Sequence, residues 1–328
     1  MALDIDAIRA DFPILDRVLP NGKKLVYFDN AATSQKPQVV IDSMTRFYEE
    51  YNSNAHRANH TLADEATTAL EEARSKISRY FGTKPENMIY TSGATEAINL
   101  VAYGWARYNL QQDDVVVVTE MEHHADIVPW QELNKEKGVE VRYVPINSTT
   151  FTLDMEAFEV ALEGAKLVCV VHTSNVLGIR NPVEEIIEKS QAVGARVLLD
   201  CAQSAPHERI FFDNMGADFI AISAHKMAGP TGIGCVLVKP DAMAEMGPFM
   251  TGGSIIRRVS TEGTTFQEGH AMFETGTPRI AEAIGWGAAV EWLSQFDMRE
   301  VHAHIHDIAS WTADQMLEIP GIRIFGDP

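Results

Sequence analysis

Residues 196–226 read RVLLDCAQSAPHERIFFDNMGADFIAISAHK, and two short apolar runs within them, 197–199 and 219–222, break into polar residues of distinctive type. The first run ends at Asp200, the second at Ser223, His225 and Lys226. Ligands of an open parallel sheet sit beyond the carboxyl ends of its strands, so both polar clusters are expected to face one crevice. If the strands are neighbours, their tips lie about 4.8 Å apart, comparable with the width of an aromatic ring. A carboxylate at one tip and a lysine at the other suit pyridoxal phosphate. The amine takes the cofactor aldehyde as a Schiff base, and the carboxylate keeps the pyridine nitrogen protonated so that the ring withdraws electrons. On these two residues alone, a helix-capping Asp and a loop Lys explain the pattern equally well.

The chain has 328 residues, 45% of them hydrophobic and 22% charged, enough to bury a large core and form one big domain with an appendage. No apolar run approaches the length of a membrane span and the acidic N-terminus lacks a signal-peptide profile, so a cytoplasmic protein with no membrane partner is expected. A formal charge of -19 argues against nucleic acid or an anionic membrane surface, because phosphates are repelled at long range. Cys169, Cys201 and Cys235 are too scattered for a disulfide framework and form no C-x-x-C pair, which fits a reducing compartment.

In chain order, residues 4–12 suggest a short helix capped by Asp4, and LVYF at 25–28 a short β run breaking into a small-residue turn at Asp29, Asn30, Ala31 and Ala32. Pro37 opens a helix at Gln38. His56 and His60 lie four apart, but HRANH lacks the glutamate of a zinc-protease helix, and no metal site is expected. Residues 62–81 have helical spacing closed by Gly82. Ser92, Gly93, Ala94 and Thr95 open another helix without bulk, which would leave N–H groups for a phosphate or simply be an N-cap. A strand at 115–119 leads to His123 and His124, VRYVPI gives another, and a third ends at Ser174 and Asn175. Alternating strands and helices predict a three-layer α/β/α domain around a mainly parallel sheet. Residues 251–279 carry little regular pattern and are expected to be a functional loop. Helices are expected at 280–296 and 299–317, with His302, His304 and His306 on an exposed surface, and GIRIFGDP at 321–328 reads as a strand without a partner.

With these residues in view, the chain resembles the class V branch of fold type I pyridoxal-phosphate enzymes, and within it the SUF-type cysteine desulfurases, the group that includes selenocysteine lyases. FDNAATSQKP, HRANHTL, GATEAINLVA, MEHHADIVPWQ, HTSNVLG, DCAQSAPH, SAHKMAGPTGIG and FETGTP follow the family's order over nearly the whole chain. The resemblance implies that Lys226 carries the cofactor, Asp200 pairs with the pyridinium nitrogen and Gln203 bonds the ring hydroxyl oxygen. It implies that His123 stacks on the ring as a catalytic residue, that Thr95, Ser223 and His225 hold the phosphate, and that Asn175 contacts the ring oxygen or the substrate carboxylate. His56 would lie on the substrate side, and Gly276 and Thr277 would approach the phosphate in the partner subunit of a homodimer. Ala58, Ser92, Ala94, Cys201 and Met272 depart from the family's wording, Met272 by replacing an arginine.

The implied activity converts L-cysteine, or L-selenocysteine as the alternative, to L-alanine, with sulfur passing as a persulfide to an acceptor protein of the SUF system for iron–sulfur cluster assembly. Another class V transfer reaction, or a form that binds cofactor without turnover, are the competing readings. The implied domains are an N-terminal segment at 1–20 packing with a small domain, a cofactor-binding large domain at 21–290, and the start of an incomplete small domain at 291–328. In the family the nucleophilic cysteine and a carboxylate-gripping arginine belong to that small domain, so the chain is expected to be truncated before them. Cys169 and Cys235 sit in strands as buried fillers, and Cys201 is expected to point away from Asp200.

Overall fold

The computed structural model describes residues 3–56 and 59–326. Seven strands form one sheet: β1 (Met88–Thr91), β2 (Val115–Thr119), β3 (Glu140–Val144), β4 (Ala165–Val171), β5 (Arg196–Asp200), β6 (Phe219–Ser223) and β7 (Gly234–Val238), in the order β1-β7-β6-β5-β4-β2-β3. The β2–β3, β2–β4, β4–β5 and β5–β6 pairs are parallel, whereas β7 runs antiparallel to both β6 and β1. Reversal at β7 has a local cause. The link at 224–233 holds only one tight turn, and a parallel return needs a crossover of about a dozen residues or more. Two reversals cancel, so β1 points the same way as β2, β3, β4, β5 and β6, and the carboxyl ends of all six open on one edge.

Successive side chains of the strands feed two cores. Val115, Val117, Val197 and Leu199 join one cluster with Phe81 and Trp286, while Val116, Val118 and Leu198 join another with Ile98 and Trp130. Strands buried on both faces need continuous apolar sequence, and VVVVT and FIAIS supply it. The Thr61–Tyr80 and Ile280–Leu293 helices pack together on one face; Ala–Gly contact at Ala73 and Gly287 brings their backbones close. Asp4 caps the Ile5–Ala10 helix through Ala7 N–H at 3.1 Å, and Phe12 sets its ring edge-on to Trp292, which also donates to Asp11 at 2.6 Å. The Ile280–Leu293 helix ends earlier than the expected 296.

Three further expectations are corrected. Residues 25–28 form no ladder; Leu25 N–H bonds Arg17 O, and Phe28 is 93% exposed. The 251–279 stretch contains an antiparallel hairpin, β8 (Ile256–Ser260) with β9 (Gly263–Phe266), whose polar and charged faces are largely exposed and so carry no alternating signal. Residues 321–326 are not a strand, since nothing described pairs with them, and residues 327 and 328 lie outside the described residues. His56 has a left-handed backbone (φ 62°) outside any helix, while His60 caps the Thr61–Tyr80 helix, so the two share no helical face. Ala58 lies outside the described residues. Among those residues, no helix is long and apolar enough to cross a membrane.

Candidate active site

Thr95, His123, Asn175, Asp200, Gln203, Ser223, His225 and Lys226 line one cavity of about 270 Å³ at the carboxyl edge of the sheet. The register explains the convergence: Val171 ends β4 opposite Asp200, which ends β5 opposite Ala221, and β6 runs on past that level to Ser223. Asp200 is 5% exposed and accepts Ala202 N–H at 2.9 Å; burial raises its pKa, opposed by that N–H and by the charges of Lys226 and His123. Burial lowers the pKa of Lys226, with Asp200 pulling the other way. Ala125 N–H donates to His123 Nδ1 at 3.1 Å, which fixes the ring's orientation with Nδ1 as the acceptor.

At the other end of the cavity, Ser223 Oγ accepts Ala94 N–H at 2.8 Å and ties β6 to the helix that starts there. This approach depends on glycine. Gly93 has φ 153°, and a Cβ on Gly234 would stand 2.6 Å from Gly93 Cα and 2.3 Å from Ile222 O. Gln203 Nε2 donates to Ala31 O at 2.8 Å, fixing the small-residue turn as one wall. Residues that the sequence reading passed over brace His225: Thr33 Oγ1 lies 3.1 Å from its Nδ1, and Ser34 Oγ and Lys36 Nζ each donate to its carbonyl oxygen at 3.0 Å. Burial lowers the Lys36 pKa to about 8. Their signal was a run of small polar residues before Pro37, which reads equally as a loop.

Not every expected residue joins this cavity. Gly276 and Thr277 line a separate hollow of about 170 Å³ with Tyr90, Glu96 and Arg279. His56 lines a third, of about 370 Å³, beside Arg74 and Glu274, and its Nε2 lies 3.3 Å from Glu71.

Pyridoxal phosphate fits the residues present. The buried Asp200 carboxyl has no hydrogen-bonded cation among the described residues, a deficit that a protonated ring nitrogen would remove. Small side chains at Ala31, Ala32, Ala94 and Ala202 leave room for a flat ring, and hydroxyl and imidazole donors gather at the Ala94 helix start, where an anion is favoured.

The class-V aminotransferase model matches residues 26–328. A probable cysteine desulfurase of Streptomyces coelicolor is 43% identical over 330 residues, covering 99% of this chain and 79% of that one. The chain is a member of the cysteine desulfurase branch of the class-V aminotransferases. A cysteine desulfurase of Haloferax volcanii is likewise 43% identical, over 340 residues, covering 99% of this chain and 80% of the relative. The apo structure of the cysteine desulfurase from Thermococcus onnurineus NA1 superposes with a TM-score of 0.92 at 33% identity, covering 100% of this chain and 79% of that one. The mixed, mainly parallel sheet is therefore the fold of the cysteine desulfurases, and pyridoxal phosphate is their cofactor.

Proposed function

We infer that this desulfurase takes L-cysteine and an acceptor thiol to L-alanine and a persulfide, with the eight-residue cavity as its site. The observation that supports this most is that Asp200, at the end of β5, and Lys226, in the turn that follows the neighbouring parallel strand β6, line one cavity. Pyridoxal phosphate, when bound, supplies an electron-withdrawing ring that stabilises negative charge at the substrate Cα. Lys226 Nζ would hold it covalently. Because burial favours the neutral amine, Nζ can also take a proton from the substrate Cα. Asp200 would hold a proton on the ring nitrogen, His123 would cover the ring face, and Thr95, Ser223 and His225 would bind the phosphate. Gln203 would bond the ring hydroxyl oxygen and Asn175 the same oxygen or the substrate carboxylate.

The three cysteines do not serve as the acceptor. Cys169, Cys201 and Cys235 are fully buried, none lines the cavity, and burial pushes each thiol up, keeping it protonated and inert. We propose a homodimer in which Gly276 and Thr277 approach the neighbour's phosphate, with His56 on the substrate side, and a SUF-system acceptor serving iron–sulfur cluster assembly. Incubation of the cofactor-loaded protein with L-cysteine and a thiol such as dithiothreitol should release alanine, with Cys169, Cys201 and Cys235 unmodified by mass spectrometry. A sulfur atom added to Cys201 would overturn the external-acceptor reading; no alanine at any thiol concentration would overturn the assigned activity.

A further inference from the structure

Glu122 and Asp126, on either side of the ring-facing His123, are buried carboxyl groups for which the scheme above has no use. Glu122 Oε1 accepts Thr119 Oγ1 at 2.6 Å and Val171 N–H at 2.8 Å; Asp126 Oδ1 accepts Trp130 Nε1 at 2.8 Å. Their other oxygens, Glu122 Oε2 and Asp126 Oδ2, are buried with no donor. The two carboxyl groups are within hydrogen-bonding contact of each other. Two ionised carboxylates in that position would repel in a desolvated site, and two neutral acids would leave one O–H without an acceptor. A single proton between Oε2 and Oδ2 satisfies both atoms.

We propose that Glu122 and Asp126 share one proton, forming a buried unit of charge −1 that acts as a pair of positioning residues, setting a negative field at Asp200 against which the ring-nitrogen proton is held. The proposal rests on the role of Asp200 given above. The surroundings support it: Asp200 is the ionisable group of β5 that acts on both carboxyls, the Cys169 thiol of β4 is held neutral by its burial, and Lys226 and His123 act on Asp200 from the cavity. No lysine or arginine among the described residues forms an ion pair with either group. Burial raises both carboxyls well above the ordinary range, helped by the charge of Asp126 at Glu122 and by that of Asp200 at both, in keeping with a retained proton.

Infrared spectroscopy of the apoenzyme near neutral pH should show the carbonyl stretch of a protonated carboxylic acid. Glu122→Gln and Asp126→Asn each put an amide N–H where the proton was and keep the unit at −1. Each should abolish that band while leaving the pH midpoint of the bound cofactor's absorbance change in place. The double variant removes the charge and should move the midpoint down by about one pH unit, the scale of one charge at an effective dielectric near 20. A wild type without the band, a band that survives both single variants, or a double variant with an unmoved midpoint overturns the proposal. The infrared readings decide the shared proton even if the double variant does not fold. They also need no cofactor: a midpoint that ignores Asp200→Asn as well would sink the Asp200 assignment and leave the shared proton standing.

Discussion

Arg74 places two guanidinium nitrogens on the Glu274 carboxylate, at 2.8 and 2.7 Å, and so pins the FETGTP turn to the Thr61–Tyr80 helix. The guanidinium is 2% exposed, donates also to Met88 O at 3.0 Å, and lies 4.4 Å from the Tyr90 ring centroid, while Glu274 Oε1 accepts Tyr90 N–H at 2.8 Å. Removing one partner of a buried pair leaves the other charge desolvated, at a cost of about 3–5 kcal/mol. Glu274→Ala should therefore lower unfolding stability by about that amount in urea titration, and Arg74→Ala by a similar amount. A loss under about 1 kcal/mol for both would show that the turn is held by something else.

Lys226→Ala should abolish covalent attachment of pyridoxal phosphate. Borohydride reduction followed by intact-mass measurement reads this directly: the wild type should gain one reduced cofactor and the variant none. An adduct that persists in the variant would move attachment to another amine. Lys36 is the first to examine, since its pKa of about 8 leaves part of it neutral near physiological pH.

The site was more legible in the sequence than its frame was. Asp200 ends one continuous apolar run and Lys226 follows closely on another, so both strands were legible from one stretch, while their neighbouring position, left open by the sequence, comes from the register. The β8–β9 hairpin was hidden because Arg257, Arg258, Thr264 and Thr265 keep both of its faces polar. The bracing of His225 by Ser34 and Lys36 spans 191 and 189 residues, and no local pattern announces a contact of that separation. Glu122 and Asp126 stand beside two histidines in a polar stretch of sequence; only tertiary packing shows that they are sealed from water.

Gly234 offers a test of how closely the Ala94 helix start must approach β7. Any side chain there meets backbone atoms of Ile222 and Gly93 rather than flexible side-chain ends, so the conflict can be relieved only by moving the loop. Gly234→Ala should cost about 1–3 kcal/mol of stability and weaken binding of pyridoxal phosphate more than Gly232→Ala, which meets no neighbouring atom but carries the strain of φ 78°. Equal affinities in fluorescence titration would mean that the glycine contact does not shape the phosphate end.

His172 should make stability depend on pH in a definite direction. It is 1% exposed at the end of β4, and burial, with help from the Arg180 charge, lowers its pKa to about 4. The unfolded imidazole titrates near 6.5, so between about 6.5 and 4 the unfolded chain binds a proton that the native chain refuses. Stability from this residue is complete above about pH 6.5 and is lost as pH falls, at up to about 1.4 kcal/mol per pH unit. The Glu122–Asp126 proton contributes with the opposite sign, because the native state keeps a proton that unfolded carboxylates shed above their ordinary range. Only a difference between two proteins isolates His172. Urea unfolding of the wild type and His172→Asn at pH 7.5, 6 and 5 should show the wild type losing its advantage progressively toward acid. Parallel curves would mean that the imidazole accepts its proton in the folded state, with Glu208 Oε1, 3.4 Å from Nδ1, as its counter-ion.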